Sequence, residues 1–321
     1  MKLFKNYFNL SRVYLGGYIL ENHTFGNDWT EQKLICVKDY AASWAAIMEY
    51  EKKKWGWKTH YIDAFSGSGT YSPKKKKNDD AHHTSLFGDE TEAEKQEVRA
   101  GSAQLAIKQV PKFDRVDLIE INPEHASNLR SIAGDELNKR VFVHEADVNK
   151  KLCELAKSLT KNDRALLFLD PYGCQVWWET LQKIAATEVV DVWYLFSIMG
   201  INRKLTLTPD KIPPHEREIL NKCLGTDLWE KFFYKQNVDT DLFGEIPKTT
   251  RKAAPLDVER FFQEHLGIIF PTVSPHCLRL KNKKNGHMFS LYFAISNPHD
   301  SAKKLALKLA NPILKRWENS S

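Results

Sequence analysis

Hydrophobic positions along the chain alternate between two periods. Short apolar runs with strand character span Thr59 to Asp63, Arg115 to Ile121, Arg140 to His144, Ala165 to Leu169 and Val189 to Phe196. The stretches between them carry apolar residues at helical spacing. Ser102 stands as an N-cap for a helix over Ala103 to Gln109, and Asn122-Pro123-Glu124 places a proline in the first turn of the next. A further helix is predicted from Asn149 to about Leu159. The run Ala165-Leu166-Leu167-Phe168-Leu169 is continuously apolar, as a central parallel strand covered on both faces must be. Strands alternating with helices imply right-handed crossovers and a doubly wound parallel α/β sheet.

The flanks complete this organisation. Residues 1–58 predict an irregular lead-in broken by Gly16-Gly17 and Gly26, then a helix from about Glu31 with Thr30 as its cap and Leu34, Val37 and Ala41 on one face. The core, 59–202, is interrupted at 71–100 by a polar stretch. It holds Lys74 to Lys77, then Asp79, Asp80, His82, His83 and acids through Glu97, and it predicts a flexible surface insertion. Residues 203–270, with Pro213-Pro214 and several aromatics, predict an inserted helical cap. In 271–321, Cys277 to Leu280 and Phe289 to Ile295 flank the turn residues Lys281 to Gly286. This predicts an antiparallel hairpin, and a helix from Ser301 to about Leu309 then completes the core.

Composition narrows the class. With 42% hydrophobic and 27% charged residues, the chain is globular rather than disordered. It has no apolar run of the ~18–20 residues that span a bilayer. Lys2 and Lys5 are not followed by the apolar core of a signal peptide, so a cytoplasmic location without a membrane partner is expected. The five cysteines form no Cys-x-x-Cys pair, which argues against zinc, iron–sulfur or disulfide frameworks, and no metal is expected. A net charge of +6 permits a polyanionic partner without demanding one.

Candidate chemistry gathers at the carboxyl ends of the strands, where doubly wound sheets bind ligands. The first strand runs into Asp63-Ala64-Phe65-Ser66-Gly67-Ser68-Gly69. A Gly-x-Gly after a strand fits a tight structural turn as well as a cofactor loop. No lysine followed by Ser or Thr comes after the glycines, which excludes a P-loop, and the third glycine of a dinucleotide fingerprint is missing. The form that remains, Asp-x-Phe-x-Gly-x-Gly, suits S-adenosylmethionine, which has no pyrophosphate to cradle. Asp63 would meet the cationic amino group of its methionine moiety, next to Phe65, while Gly67 and Gly69 let backbone approach. Glu120 ends the second strand, where a carboxylate can accept both ribose hydroxyls. Asp147 follows the third, in position to hold the adenine amino group. Each acid alone is as readily a solvated strand end; three in register are a joint signal.

The fourth strand ends in Asp170-Pro171-Tyr172-Gly173. Enzymes that methylate exocyclic amines of bases carry Asp/Asn-Pro-Pro-Tyr here. The carboxylate and a proline-flanked carbonyl accept the amine hydrogens, and the ring stacks on the base. This chain has one proline where that motif has two, and a strand-ending turn with a packed tyrosine is the plainer alternative. Arg203 offers a cation for an anionic acceptor group or a surface ion pair, and Trp177 offers a stacking face.

The motifs together resemble the three-Cys-motif partner proteins, a bacterial family. The resemblance runs through Phe25-Gly26, Trp29-Thr30, Lys33-Leu34, Tyr61 to Gly69, Gly101-Ser102, Ile119 to Asn122, Asp147 to Asn149, Leu167 to Gly173 and Asn202-Arg203. Ser66 stands where the family carries alanine. The resemblance implies a Rossmann-like class I methyltransferase sheet and a partner protein with a radical-SAM-like cysteine motif. The expected function is S-adenosylmethionine-dependent methylation of an exocyclic nucleobase amine in nucleic acid. Cofactor residues would be Asp63, Phe65, Gly67, Gly69, Glu120 and Asp147; Asp170, Pro171 and Tyr172 would hold the acceptor, with Arg203 and Trp177 beside it. Two alternatives stand next to this reading: a non-catalytic, methyltransferase-like partner of the cysteine-motif protein, and a methyltransferase with a small-molecule or protein acceptor.

Overall fold

The computed structural model describes residues 29–71, 99–109, 113–241 and 244–318. The lead-in through Gly26 and the 71–100 insertion with Lys74 to Lys77 and His82-His83 thus fall mostly outside the described residues. Helix α1 (Trp29–Trp55) leads into strand β1 (Lys58–Asp63). After the short pair β2 (Thr70–Tyr71) and β3 (Arg99–Ala100) comes α2 (Ser102–Gln104), which widens into a π turn over Leu105–Gln109. Then follow β4 (Arg115–Glu120), α3 (Pro123–Ala133), β5 (Val141–Glu145), α4 (Val148–Ser158), β6 (Asp163–Leu169), α5 (Trp178–Ala185) and β7 (Val190–Phe196). The chain continues through α6 (Ile198–Lys204), α7 (Pro214–Leu224), α8 (Trp229–Phe233), β8 (Tyr234–Asp241), β9 (Gly244–Arg251) and α9 (Pro255–Ile269). It ends with β10 (Thr272–Val273), β11 (Leu278–Lys281), β12 (His287–Ile295) and α10 (Asp300–Glu318).

The main sheet has the order β5-β4-β1-β6-β7-β12, with β10 and β11 both paired along the outer edge of β12. The strands from β5 to β7 are parallel. Strand β12 runs antiparallel to β7, and β11 antiparallel to β12. This is the doubly wound, Rossmann-like sheet with a terminal antiparallel hairpin that the pattern predicts. From β1 the chain moves outward through β4 to β5, then returns to β6 and moves the other way. The reversal opens a crevice at the carboxyl ends of β1 and β6, the place where such sheets take ligands.

Strand alternation divides the core in two. Tyr61, Leu166, Phe168, Trp193 and Leu195 face one layer with residues of α1, α3 and α10. Ile62, Leu167, Leu169, Val192, Tyr194 and Phe196 face the other, with residues of α4, α5, α7 and α9. The central strands β1, β6 and β7 therefore carry apolar side chains on both faces, as their sequences imply.

Several local expectations change. Helix α1 already includes Trp29, so Thr30 lies inside the helix and does not cap it. Gly101, not Ser102, holds the N-cap position of α2 and makes no side-chain cap. The 203–270 segment is not purely helical: β8 and β9 form an antiparallel hairpin within it, register running from Tyr234↔Arg251 to Asp241↔Gly244. The polar run in β8 and Pro247 in β9 disguise it, and a two-stranded ribbon tolerates both because no second sheet face needs covering. The final helix continues well past Leu309, through Pro312, to Glu318.

Helix α9 pins this inserted segment to the sheet. Phe262 stacks on Phe196 with ring centroids 3.7 Å apart and lies 5.6 Å from Tyr194 and 5.7 Å from Tyr292. The Tyr292 hydroxyl donates to the Glu259 carbonyl at 2.9 Å, and the buried Glu259 carboxylate accepts from Ser290 Oγ at 2.6 Å and Arg279 Nη2 at 2.8 Å. Truncating Phe262 leaves a cavity between segment and sheet. Phe262→Ala is expected to cost about 3–5 kcal/mol in chemical denaturation; a loss below about 1 kcal/mol would mean the anchor lies elsewhere.

Candidate functional site

The turn after β1 is fixed to its neighbours by backbone. Ala64 N donates to Phe168 O at 3.0 Å and Ser66 N to Ile119 O at 3.1 Å, so the turn bridges the ends of β6 and β4. Ser66 Oγ donates to Asp63 O, and Gly69 N to Ser66 O, which closes the turn. The two glycines serve different ends. Gly67 has φ +56° and nothing within 4 Å of where a Cβ would project, so its backbone faces open space. Gly69 has φ +79°, and a Cβ there would stand 2.7 Å from Ile132 Cδ1 and 3.0 Å from Leu129 Cδ2. The absence of a side chain at Gly69, expected to let backbone approach a ligand, also lets α3 pack against the turn.

Asp63 is fully buried. It shares the parity of Tyr61, and so the α1 face of the sheet. Burial pushes its carboxyl up to about 7, opposed first by the Ser102 hydroxyl; the charge of Asp170 raises it further, and the Phe65 amide and Lys33 pull it down. Phe65 N donates to Oδ1 at 3.4 Å, while Oδ2 is buried with no hydrogen-bond partner among the described residues. Such an orphan is costly and rare in native structures, and it marks where a donor belongs.

Across the crevice, Asp170 follows β6 on the same face. Its Oδ2 accepts from Lys33 Nζ, which reaches over from α1; the lysine side chain is 8% exposed and the aspartate side chain 20%. Burial raises the Tyr61 hydroxyl well above its usual range, and Asp63 and Asp170 add to the rise, so two carboxylates, a lysine and a phenol share one small region. Lys33 belongs to the sequence motifs, yet its part in the site was not foreseen. The signal available was a lysine among apolar positions on the buried face of α1, where a charge needs a partner. Ser102, expected to cap a helix, attends Asp63 with its hydroxyl instead.

The remaining expected residues fall into two groups. Glu120 and Asp147 sit at the ends of β4 and β5 along the same edge, both already partly engaged: Glu120 Oε1 accepts from Asn122 N at 2.8 Å, and the exposed Asp147 caps α4 by accepting from Lys150 N at 3.0 Å. Pro171 is buried and Tyr172 is 87% exposed, so the 203–270 segment does not cover the tyrosine. Buried Asn149 clamps the loop that carries them: its Nδ2 donates to Gln175 O at 2.9 Å, and its Oδ1 accepts from Trp177 N at 2.9 Å. Trp177 opens α5, with Lys222 Nζ 5.1 Å from its ring, and thus faces the inserted segment. Arg203 is exposed on α6 and forms no ion pair among the described residues.

No family model matches the chain, and no curated protein does. Solved structures give distant likenesses. A Legionella pneumophila protein of the DUF519 family is 16% identical, with TM-score 0.43 over 88% of this chain and 92% of that one. An O-methyltransferase from Bacillus cereus in complex with SAH is 10% identical, with TM-score 0.37 over 89% and 99%. M. jannaschii TYW2 in complex with AdoMet is 13% identical, with TM-score 0.29 over 78% and 74%. The three-Cys-motif partner family is not among these findings, so that resemblance rests on the motifs. No described helix is long and apolar enough to cross a membrane.

The raised carboxyl of Asp63 has a thermodynamic signature. Between about pH 4, the usual carboxylate value, and about 7 the folded state holds a proton that the unfolded chain has lost, so stability falls as pH rises through that window. Asp191, buried and raised to about 6, acts in the same direction, so the comparison is variant minus wild type. Asp63→Asn is expected to match wild type near pH 4 and to exceed it by roughly 3–5 kcal/mol at pH 8 in denaturant melts. A difference that does not change with pH would refute the assignment.

Proposed function

We propose that this protein is an S-adenosylmethionine-dependent methyltransferase whose acceptor is an exocyclic amine of a nucleobase in nucleic acid. The observation that carries the cofactor reading is the buried Asp63 Oδ2, without a partner among the described residues, on the same turn as Gly67, whose Cβ direction meets none of them within 4 Å, at the reversal point of the sheet. A cationic group placed there would satisfy the orphan oxygen and favour the ionised carboxylate. When bound, the cofactor supplies an electrophilic methyl group on a sulfonium. Asp63 and Phe65 would hold its methionine end and Gly67 its passage across the turn, with Gly69 keeping the turn in shape. Glu120 retains Oε2 for the ribose, and Asp147 an exposed oxygen for the adenine amino group.

The acceptor half of the reading rests on the Asp170 loop. Asp170 and the Pro171 carbonyl would accept the two amine hydrogens, turning the nitrogen lone pair towards the methyl group, while exposed Tyr172 stacks on a base that has left its helix or was never paired. The rate gain would come from position and electrostatics rather than acid–base chemistry. Arg203, exposed and without an ion pair among the described residues, suits a phosphate of the same strand. A second reading, a non-catalytic partner of a radical-SAM-like cysteine-motif protein, draws on the engagement of Asp170 by Lys33 and on the single proline.

Titration calorimetry separates these readings when combined with mass spectrometry of RNA, DNA and protein incubated with labelled S-adenosylmethionine. Wild type is expected to bind, Asp63→Ala to lose at least tenfold in affinity, and Asp170→Ala to bind but no longer transfer label to nucleic acid. A wild type that binds no S-adenosylmethionine sinks the proposal; label in protein or small molecules alone sinks its acceptor half.

A further inference from the structure

Lys33 is more than a counter-ion for Asp170. Among the described residues, the crevice between β1 and β6 brings together one ammonium and two carboxylates: buried Lys33 and Asp63, and half-buried Asp170. One carboxylate oxygen, Asp63 Oδ2, lacks a partner among the described residues, and the lysine is shared, paired with Asp170 while its charge also bears on Asp63. This set is the charge complement of an α-amino-acid zwitterion. An ammonium fits the orphan Asp63 Oδ2. A carboxylate on the same carbon then arrives close to the cation that spans the crevice, and that cation is Lys33.

We propose that Lys33 binds the carboxylate of the cofactor's methionine end and trades Asp170 for it when the cofactor enters. This inference rests on the cofactor reading above and adds an order to it. Before the exchange, Asp170 is held by Lys33 and is a poor acceptor for an amine. After it, the Asp170 carboxylate is released towards the open side of the loop, where Pro171 and exposed Tyr172 follow. Exchange is the economical route, because it keeps the buried ammonium of Lys33 against a carboxylate throughout and leaves only the half-buried Asp170 to be solvated, whereas breaking a buried ion pair without replacement is strongly unfavourable. The site therefore becomes competent for an acceptor only once the zwitterion is in place. The same pairing keeps a base amine from occupying Asp170 in the absence of a methyl donor.

The test compares S-adenosylhomocysteine with its decarboxylated analogue, which keeps the ammonium. Their affinity ratio isolates the carboxylate. Wild type is expected to favour S-adenosylhomocysteine by about tenfold or more, the worth of a charge-assisted hydrogen bond. In Lys33→Met the ratio should fall close to one. In Asp170→Asn, where the competitor for Lys33 is gone, it should rise above wild type. The double variant Lys33→Met/Asp170→Asn leaves no orphaned charge of this pair and serves where the single lysine variant folds poorly; its ratio should also be near one. A wild-type ratio that survives in both lysine variants overturns the exchange while leaving the cofactor reading intact. A wild type that binds neither ligand overturns both.

Discussion

A carboxylate buried without full hydrogen bonding is the constraint on which the rest of this structure turns. Asp63 is inaccessible, has one oxygen without a partner among the described residues, and has its carboxyl pushed up to about 7. Nothing in the packing requires an acid there, since the neighbouring Tyr61 and Ile62 show that an aromatic or aliphatic side chain is readily housed at the same level of β1. Stability alone would favour a smaller, apolar residue. A group that costs stability in the empty protein and gains a partner only when a cation arrives is how a binding site stores selectivity, and perturbed acids in clefts are functional candidates for that reason.

The scaffold around Asp63 makes its position rigid. The turn is tied by backbone to Phe168 and Ile119, so the ends of β6 and β4 move with it. Gly69 allows α3 to close on the turn from one side, and α1 brings Lys33 from above the sheet to the other. Asn149 fixes the loop after β6 through Gln175 and Trp177, which sets where Asp170 and Tyr172 emerge. Phe262 and the Glu259 network hold the inserted segment on the opposite layer, away from Tyr172. The site is thus built where the sheet reverses, from parts whose own geometry is settled by packing.

Much of this was legible before any coordinates, and the exceptions have physical causes. Continuous apolar runs such as Ala165 to Leu169 mark central strands because both faces are covered, and the acids that end the strands stand out against them. The hairpin Tyr234–Asp241 with Gly244–Arg251 was hidden because its strands are polar and one contains proline. Thr30 looks like a cap because a hydroxyl before an apolar run marks a helix start, yet the helix already includes Trp29, and Ser102 presents the same pattern while its hydroxyl serves a distant carboxylate, Asp63. The role of Gly69 could not be separated from that of Gly67, since a positive φ and a close helix both demand glycine. Lys33 escaped notice because its partner lies far along the chain, at Asp170, and only the fold brings them together.

If Asp63 is the group that receives a ligand's cation, proton release on binding reports it without reference to catalysis. Calorimetric titration of S-adenosylhomocysteine near pH 7, repeated in buffers of different ionisation enthalpy, reports how many protons leave the protein. With its carboxyl near 7, Asp63 is about half protonated there. The ligand ammonium should drive it to the ionised form, with a net release of a substantial fraction of a proton that disappears in Asp63→Asn. Binding heats that do not depend on the buffer, or a release of the same size in Asp63→Asn, would contradict the account.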